Sequence, residues 1–153
     1  MSERFHILLI EDSRGDVKII DRALRESSIP HRLTVLHDGA RAIEYLEHLR
    51  EPNCEPALEP DLVLLDLNLP GLDGCEILAR VKSDKDLRSI PIVILTTSRR
   101  DEDVSQTYLA GANTYIQKPS EFPHYRELVM TLHRYWSETA IRPPRRSPPR
   151  ETV

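Results

Sequence analysis

Long apolar runs are missing from this 153-residue chain, and with them any stretch approaching the roughly 20 residues that a membrane-crossing helix requires. The opening Met1-Ser2-Glu3-Arg4-Phe5-His6 leads straight into a strand-like run rather than a signal peptide, so a cytoplasmic protein is expected. Cysteine is scarce. Cys54 and Cys75 make neither a metal-ligand spacing nor a disulfide framework, and two free thiols are expected. Aromatics are few as well: Phe5, Phe122, Trp136 and five tyrosines, which leaves the core to aliphatic side chains. Net positive charge is confined to the end of the chain. Arg142, Arg145, Arg146 and Arg150 against Glu151 give residues 142–151 a local +3, so the remainder carries −7 of the overall −4. An acidic body repels phosphate backbones, which argues against direct nucleic-acid binding. The length suits one compact domain and leaves no room for a second of ordinary size.

The apolar residues come in short continuous runs. Phe5-His6-Ile7-Leu8-Leu9-Ile10, Asp61-Leu62-Val63-Leu64-Leu65 and Pro91-Ile92-Val93-Ile94-Leu95 have the length of strands and no polar alternation, the mark of strands buried on both faces. Arg32–Leu36 and Thr114–Ile116 read as shorter strands nearer the sheet edges. Between the strands lie helical spacings: Val17, Ile20 and Leu24, with Ser13 and Asp16 as a capping box; Ala42, Ile43, Leu46 and Leu49; Ile77, Leu78 and Val81; Val104, Tyr108 and Ala112, stopped near Gly111. A last helix, begun by Ser120 with Pro123 in its first turn, carries Tyr125, Leu128, Val129, Leu132 and Trp136. Strand then helix, five times over, predicts an α/β fold: an open, doubly wound five-stranded parallel sheet flanked by five helices. Arg50–Pro60 is a proline-containing surface loop, and residues 140–153 form a basic Pro/Arg-rich tail, expected to be disordered, after a domain over 5–139.

In such sheets chemistry gathers at the carboxyl ends of the strands. There the sequence places Glu11 and Asp12, Asp66, Thr96 and Lys118, each after its own strand. Crowded carboxylates repel one another unless a cation joins them, and a hard divalent ion such as Mg²⁺ suits an open oxygen-rich mouth. With Mg²⁺ and Lys118 drawing charge away, an aspartate can attack phosphorus while the Thr96 hydroxyl bonds a phosphoryl oxygen. Taken singly, each residue has an ordinary structural role: an acid capping a helix, a threonine bonding its own backbone, Lys-Pro making a turn. The ordered set is much rarer than its members.

Ile10-Glu11-Asp12-Ser13, Leu64-Leu65-Asp66-Leu67-Asn68-Leu69-Pro70-Gly71, Leu95-Thr96-Thr97-Ser98 and Ala110-Gly111-Ala112 through Tyr115 to Lys118-Pro119 resemble the receiver domains of two-component response regulators, over about residues 5 to 139. The resemblance implies a flavodoxin-like topology with strand order 2-1-3-4-5. It makes Asp66 the phosphoacceptor, Asp12, Asp66 and the backbone carbonyl of Asn68 ligands of Mg²⁺, and Glu11 a ligand through water. It makes Thr96 the switch hydroxyl, Tyr115 the switch aromatic and Lys118 the phosphoryl-binding lysine, with a cis peptide between Lys118 and Pro119. Two departures stand out: Glu11-Asp12 replaces the family's commoner Asp-Asp pair, and Ser120 stands where many members have phenylalanine.

The finer wording of these motifs is similar to single-domain regulators paired with bacterial phytochrome kinases, which implies a sensor histidine kinase, of the phytochrome type, as partner. With no effector domain, a homodimer through the face of the fourth helix, fifth strand and fifth helix is expected, extended by Tyr135 and Trp136. Such a protein would not be an enzyme beyond labelling itself from a donor and slowly losing the phosphate. Two alternatives compete. One is a Mg-dependent phosphohydrolase with an aspartate nucleophile; that chemistry follows a first strand and an Asp-x-Asp motif, whereas Asp66-Leu67-Asn68 follows the third. The other is a receiver-shaped module that works without phosphate, which the intact Asp66, Thr96 and Lys118 disfavour.

Overall fold

The structure, a computed structural model, describes residues 4–144. Five parallel strands form one sheet: β1 (Phe5–Ile10), β2 (His31–Leu36), β3 (Leu62–Leu65), β4 (Ile92–Thr96) and β5 (Thr114–Gln117), in the order β2-β1-β3-β4-β5. Five helices connect or follow them: α1 (Arg14–Glu26), α2 (Gly39–Leu49), α3 (Gly74–Ser83), α4 (Asp101–Leu109) and α5 (Phe122–Arg134). The expected architecture and strand order are both present.

The continuous apolar runs are explained by the pleat. Successive residues of one strand point to opposite faces, and both faces are covered. Leu8, Ile10, Val63, Leu65, Ile92 and Ile94 pack with Ala42, Leu46, Ile77, Leu78 and Val81 from α2 and α3. Ile7, Leu9, Leu62, Leu64, Val93 and Leu95 pack with Ile20, Leu24, Tyr125 and Val129 from α1 and α5. Each such side chain contributes roughly 1.5–3 kcal/mol by leaving water. The edge strand β2 is only half-buried, which explains why its sequence is the more polar.

Local signals fared unevenly. Ser13 caps α1 by accepting the Asp16 N–H at 3.3 Å, but the Asp16 carboxylate does not return to the cap. In α4 the stripe of Val104, Tyr108 and Ala112 is not the buried face. Ala112 lies beyond the helix and Tyr108 is half exposed; the buried residue is Thr107, whose hydroxyl donates to the Asp103 and Val104 carbonyls. Helix α5 starts at Phe122 after Glu121, not at Ser120, and has no side-chain cap. Pro123 in the first turn removes one of the N–H groups a cap would satisfy. A π-helical turn, Tyr135–Thr139, prolongs α5 and closes with the Ala140 N–H donating to the Tyr135 carbonyl at 2.7 Å.

Two glycines are required where they stand, the first against the site. A Cβ on Gly74 would overlap the Asp66 carbonyl, so only glycine lets α3 press against the strand end. Gly111 has a φ of 107° and turns the chain from α4 into β5. Among the described residues every peptide bond is trans, so the cis bond implied for Lys118-Pro119 is absent. An X-Pro bond prefers trans only slightly, and the surroundings decide.

The last described residues run against the amino-end rim of the sheet. Arg142 lies 4.8 Å above the Phe5 ring, donates to the Trp136 carbonyl at 3.0 Å and approaches Asp61 at 3.7 Å. Residues 145–153 of the expected tail lie outside the described residues. Among those described, no helix is long and apolar enough to cross a membrane.

Candidate functional site

Backbone bonds just past the strands hold the predicted residues on one rim. The Glu11 N–H donates to Leu36 at 3.0 Å, the Asp66 N–H to Ile10 at 3.1 Å and the Lys118 N–H to Thr96 at 2.7 Å. Each extends the sheet by one step, so the side chains leave a rigid edge rather than a loose loop.

Lys118 sits at the centre, its side chain 4% exposed. Its ammonium donates to Glu11 Oε2 at 2.6 Å, Asp16 Oδ2 at 2.7 Å and Asp66 Oδ2 at 2.8 Å. Burial alone would pull the Lys118 pKa down; the bonds to Asp16, Asp66 and Glu11 outweigh it and hold the group above the usual lysine range. Glu11 is buried too. Loss of water pushes its pKa up to about 7 against the pull of Lys118 and of the Ser13 N–H, which reaches Oε1 at 3.0 Å, and the Asp66 charge adds to the rise.

The other Asp66 oxygen, Oδ1, accepts the Asn68 N–H at 3.1 Å, and the Asn68 side chain donates to the Thr96 hydroxyl at 3.4 Å. Thr96 is wholly buried at the end of β4. Tyr115 lies on the same sheet face one strand over, in register with Ile94, and its hydroxyl donates to the Ser98 carbonyl at 3.0 Å. Burial raises the Tyr115 pKa, so this phenol is a neutral donor.

Glu11, Asp12 and Asp66 place one oxygen each within 4.8 Å of one another, with Asp12 exposed and the other two buried. Hard oxygen donors of this kind, open to solvent on one side, fit a divalent cation. Every predicted side chain is therefore on this rim: Glu11 and Asp66 meet Lys118 directly, Asp12 lies within 4.8 Å of both acids, Thr96 joins through Asn68, and Tyr115 stands beside them.

One participant was missed. Asp16 reads as the acid of a capping box, yet it takes a third of the Lys118 hydrogen bonding. The available signal was positional: a first-turn acid in a helix that follows a strand lies at the carboxyl-end rim, beside the residues already chosen.

Comparison with known proteins agrees with this geometry. Residues 7–130 match the family described as the response regulator receiver domain. The response regulator Rcp1 of Synechocystis sp. is 39% identical, over 90% of this chain and 92% of that protein. Among solved structures, the phosphorylated cyanobacterial phytochrome response regulator RcpA superposes with a TM-score of 0.84 at 38% identity, over 92% of this chain and 99% of that one. The Mn(2+)-bound form of Rcp1 gives 0.82 at 38%, over 91% and 99%.

Proposed function

Because this chain belongs to the response regulator receiver domain family, we propose that it is a cytoplasmic protein whose phosphoacceptor is Asp66, and that a sensor histidine kinase of the phytochrome type supplies the phosphoryl group. The observation that carries this reading is the convergence on one carboxylate: Lys118 on Oδ2, the Asn68 N–H on Oδ1, and the acids Glu11 and Asp12 alongside. Receiver domains ordinarily act as signalling modules, and neither the phosphohydrolase nor the phosphate-independent alternative is favoured by the relatives.

In the transfer an Asp66 oxygen bonds to phosphorus as the bond from phosphorus to the donor histidine nitrogen breaks, and the electron pair leaves with the imidazole. Lys118 remains charged at the site and hydrogen-bonds a phosphoryl oxygen in place of the phosphorylated Asp66 oxygen. The Thr96 hydroxyl, which accepts from Asn68, has its proton left to donate to a second oxygen. Asp12, Asp66 and the Asn68 carbonyl, with Glu11 through water, would hold Mg²⁺, which supplies neutralisation of phosphoryl charge. Replacement of Asp66 by alanine is expected to abolish acid-labile labelling from acetyl phosphate. Labelling of Asp66→Ala at the wild-type rate would refute the assignment.

Output would pass through Thr96 and Tyr115 to the surface. A phosphoryl oxygen that draws Thr96 inward alters the packing beside Tyr115, whose hydroxyl now anchors the Ser98 loop ahead of α4. Leu109 at 88% exposure and the half-exposed Tyr108 leave apolar surface on α4, and to the face of α4, β5 and α5 we assign homodimerisation. Tyr135 and Trp136 support it less than expected: they lie by the amino-end rim, where Trp136 packs onto the core. Sedimentation equilibrium with beryllofluoride and Mg²⁺ should show a dimer; an unchanged monomer would remove the idea.

A further inference from the structure

The cage around Lys118 holds one acid more than the proposed transfer needs. Glu11 and Asp66 meet the ammonium from the strand ends, and both are almost fully buried. Asp16 comes from the first turn of α1 and is 26% exposed, yet its bond to Lys118 is as short as the others. The three donors of the ammonium are thus matched by three carboxylates, and none is left for a phosphoryl oxygen until one acid lets go.

Only some of these acids have another employment. Asp66 gives up its bonding oxygen when it is phosphorylated, and Glu11 belongs to the proposed metal set. Asp16 has no part in either, and among the described residues its carboxylate hydrogen bond goes to Lys118. It therefore keeps its claim on the ammonium throughout. Its negative charge also adds to the field that attracts a cation to Glu11, Asp12 and Asp66, and the same charge repels an anionic phosphodonor.

From this we infer that Asp16 is a positioning residue with two opposed effects: it strengthens divalent-cation binding at the acidic rim, and it holds Lys118 back from the phosphoryl group. The inference rests on Asp66 being the phosphoacceptor. Helix α1 is tied to α5 by the Arg126–Glu26 ion pair and by Arg22 lying over the Phe122 ring at 5.3 Å.

The test uses the full chain and Asp16→Asn, which keeps size and removes charge. Calorimetric titration with Mg²⁺ alone, without a phosphodonor, should show a dissociation constant three- to tenfold higher than wild type. Labelling by acetyl phosphate at saturating Mg²⁺ should be faster by a similar factor, with Asp66 attacking phosphorus and acetate leaving. A merely structural role in the first helical turn would shift the melting temperature and leave both constants alone. Unchanged metal binding, or labelling that is unchanged or slower at saturating Mg²⁺, overturns the inference. Asp16→Ser makes the same prediction should the asparagine variant not fold. Absence of labelling in the wild type would instead overturn the phosphoacceptor reading, and this inference with it, whereas a labelled wild type with an unaltered Asp16→Asn sinks the role of Asp16 alone.

Discussion

His133 offers a sharp prediction about stability. Its imidazole is 1% exposed, and neither ring nitrogen has a hydrogen-bond partner among the described residues. It stacks on Phe5 at 5.5 Å and meets the edge of His31 at 5.3 Å. Burial, with the neighbouring His31 charge, pulls its pKa from 6.5 down to about 4. The unfolded chain therefore binds this proton more readily than the folded one. Above pH 6.5 the group is neutral in both states and has no effect; as pH falls toward 4 stability is lost. Protonation of the unfolded chain alone is worth about 1.36 kcal/mol for each tenfold rise in proton concentration, so the loss at pH 4.5 comes to about 2–3 kcal/mol. Replacing His133 with leucine removes that loss and leaves no buried unpaired N–H. Urea unfolding of both proteins at pH 7.5 and 4.5, without metal, measures it: wild type should lose about 2–3 kcal/mol more than His133→Leu over this interval. Parallel losses would show that the imidazole is not buried and unpaired as described.

Glu11→Gln should raise the melting temperature of the metal-free protein at pH 8 but not at pH 4.5. The folded acid keeps its proton up to about pH 7 and the unfolded one only to 4.5, so stability falls as pH rises from 4.5 to 7 and the loss is complete above 7, whereas well below 4.5 the acid is protonated in both states. The same variant should bind Mg²⁺ more weakly by calorimetry, so the site gives up stability for function; a lower melting temperature at pH 8 would contradict this. Gly74→Ala should destabilise the fold by about 1–3 kcal/mol, the scale of overpacking in a close-packed interior, because the new methyl group meets the Asp66 carbonyl. It should also slow labelling from acetyl phosphate, since α3 must withdraw from the proposed phosphoacceptor; wild-type stability and rate would refute the close approach.

Much of this molecule is legible without coordinates, for identifiable reasons. A strand covered on both faces must be apolar at every position, so Leu62–Leu65 and Ile92–Leu95 announce a parallel sheet with helices on either side. A βα unit places the residue after each strand on one rim, so Glu11, Asp12, Asp66, Thr96 and Lys118 are brought together by topology before any contact is seen. What escaped depends on direction and distance between elements. Asp16 looks like a capping acid because spacing along a helix cannot tell a bond to its own turn from a bond to a lysine 102 residues away. Tyr108 and Ala112 fit a helical stripe, but α4 is short and covers the sheet edge only loosely, so periodicity did not predict burial. The start of α5, the trans peptide at Lys118-Pro119, the unpaired ring of His133 and the seating of Arg142 on Phe5 were likewise settled by packing. Local sequence therefore determined which strand side chains face the core and which residues reach the rim; tertiary structure decided that Asp16 joins the acids on the ammonium, because hydrogen bonds are set by distances of a few tenths of an ångström that only the assembled helices and strands establish.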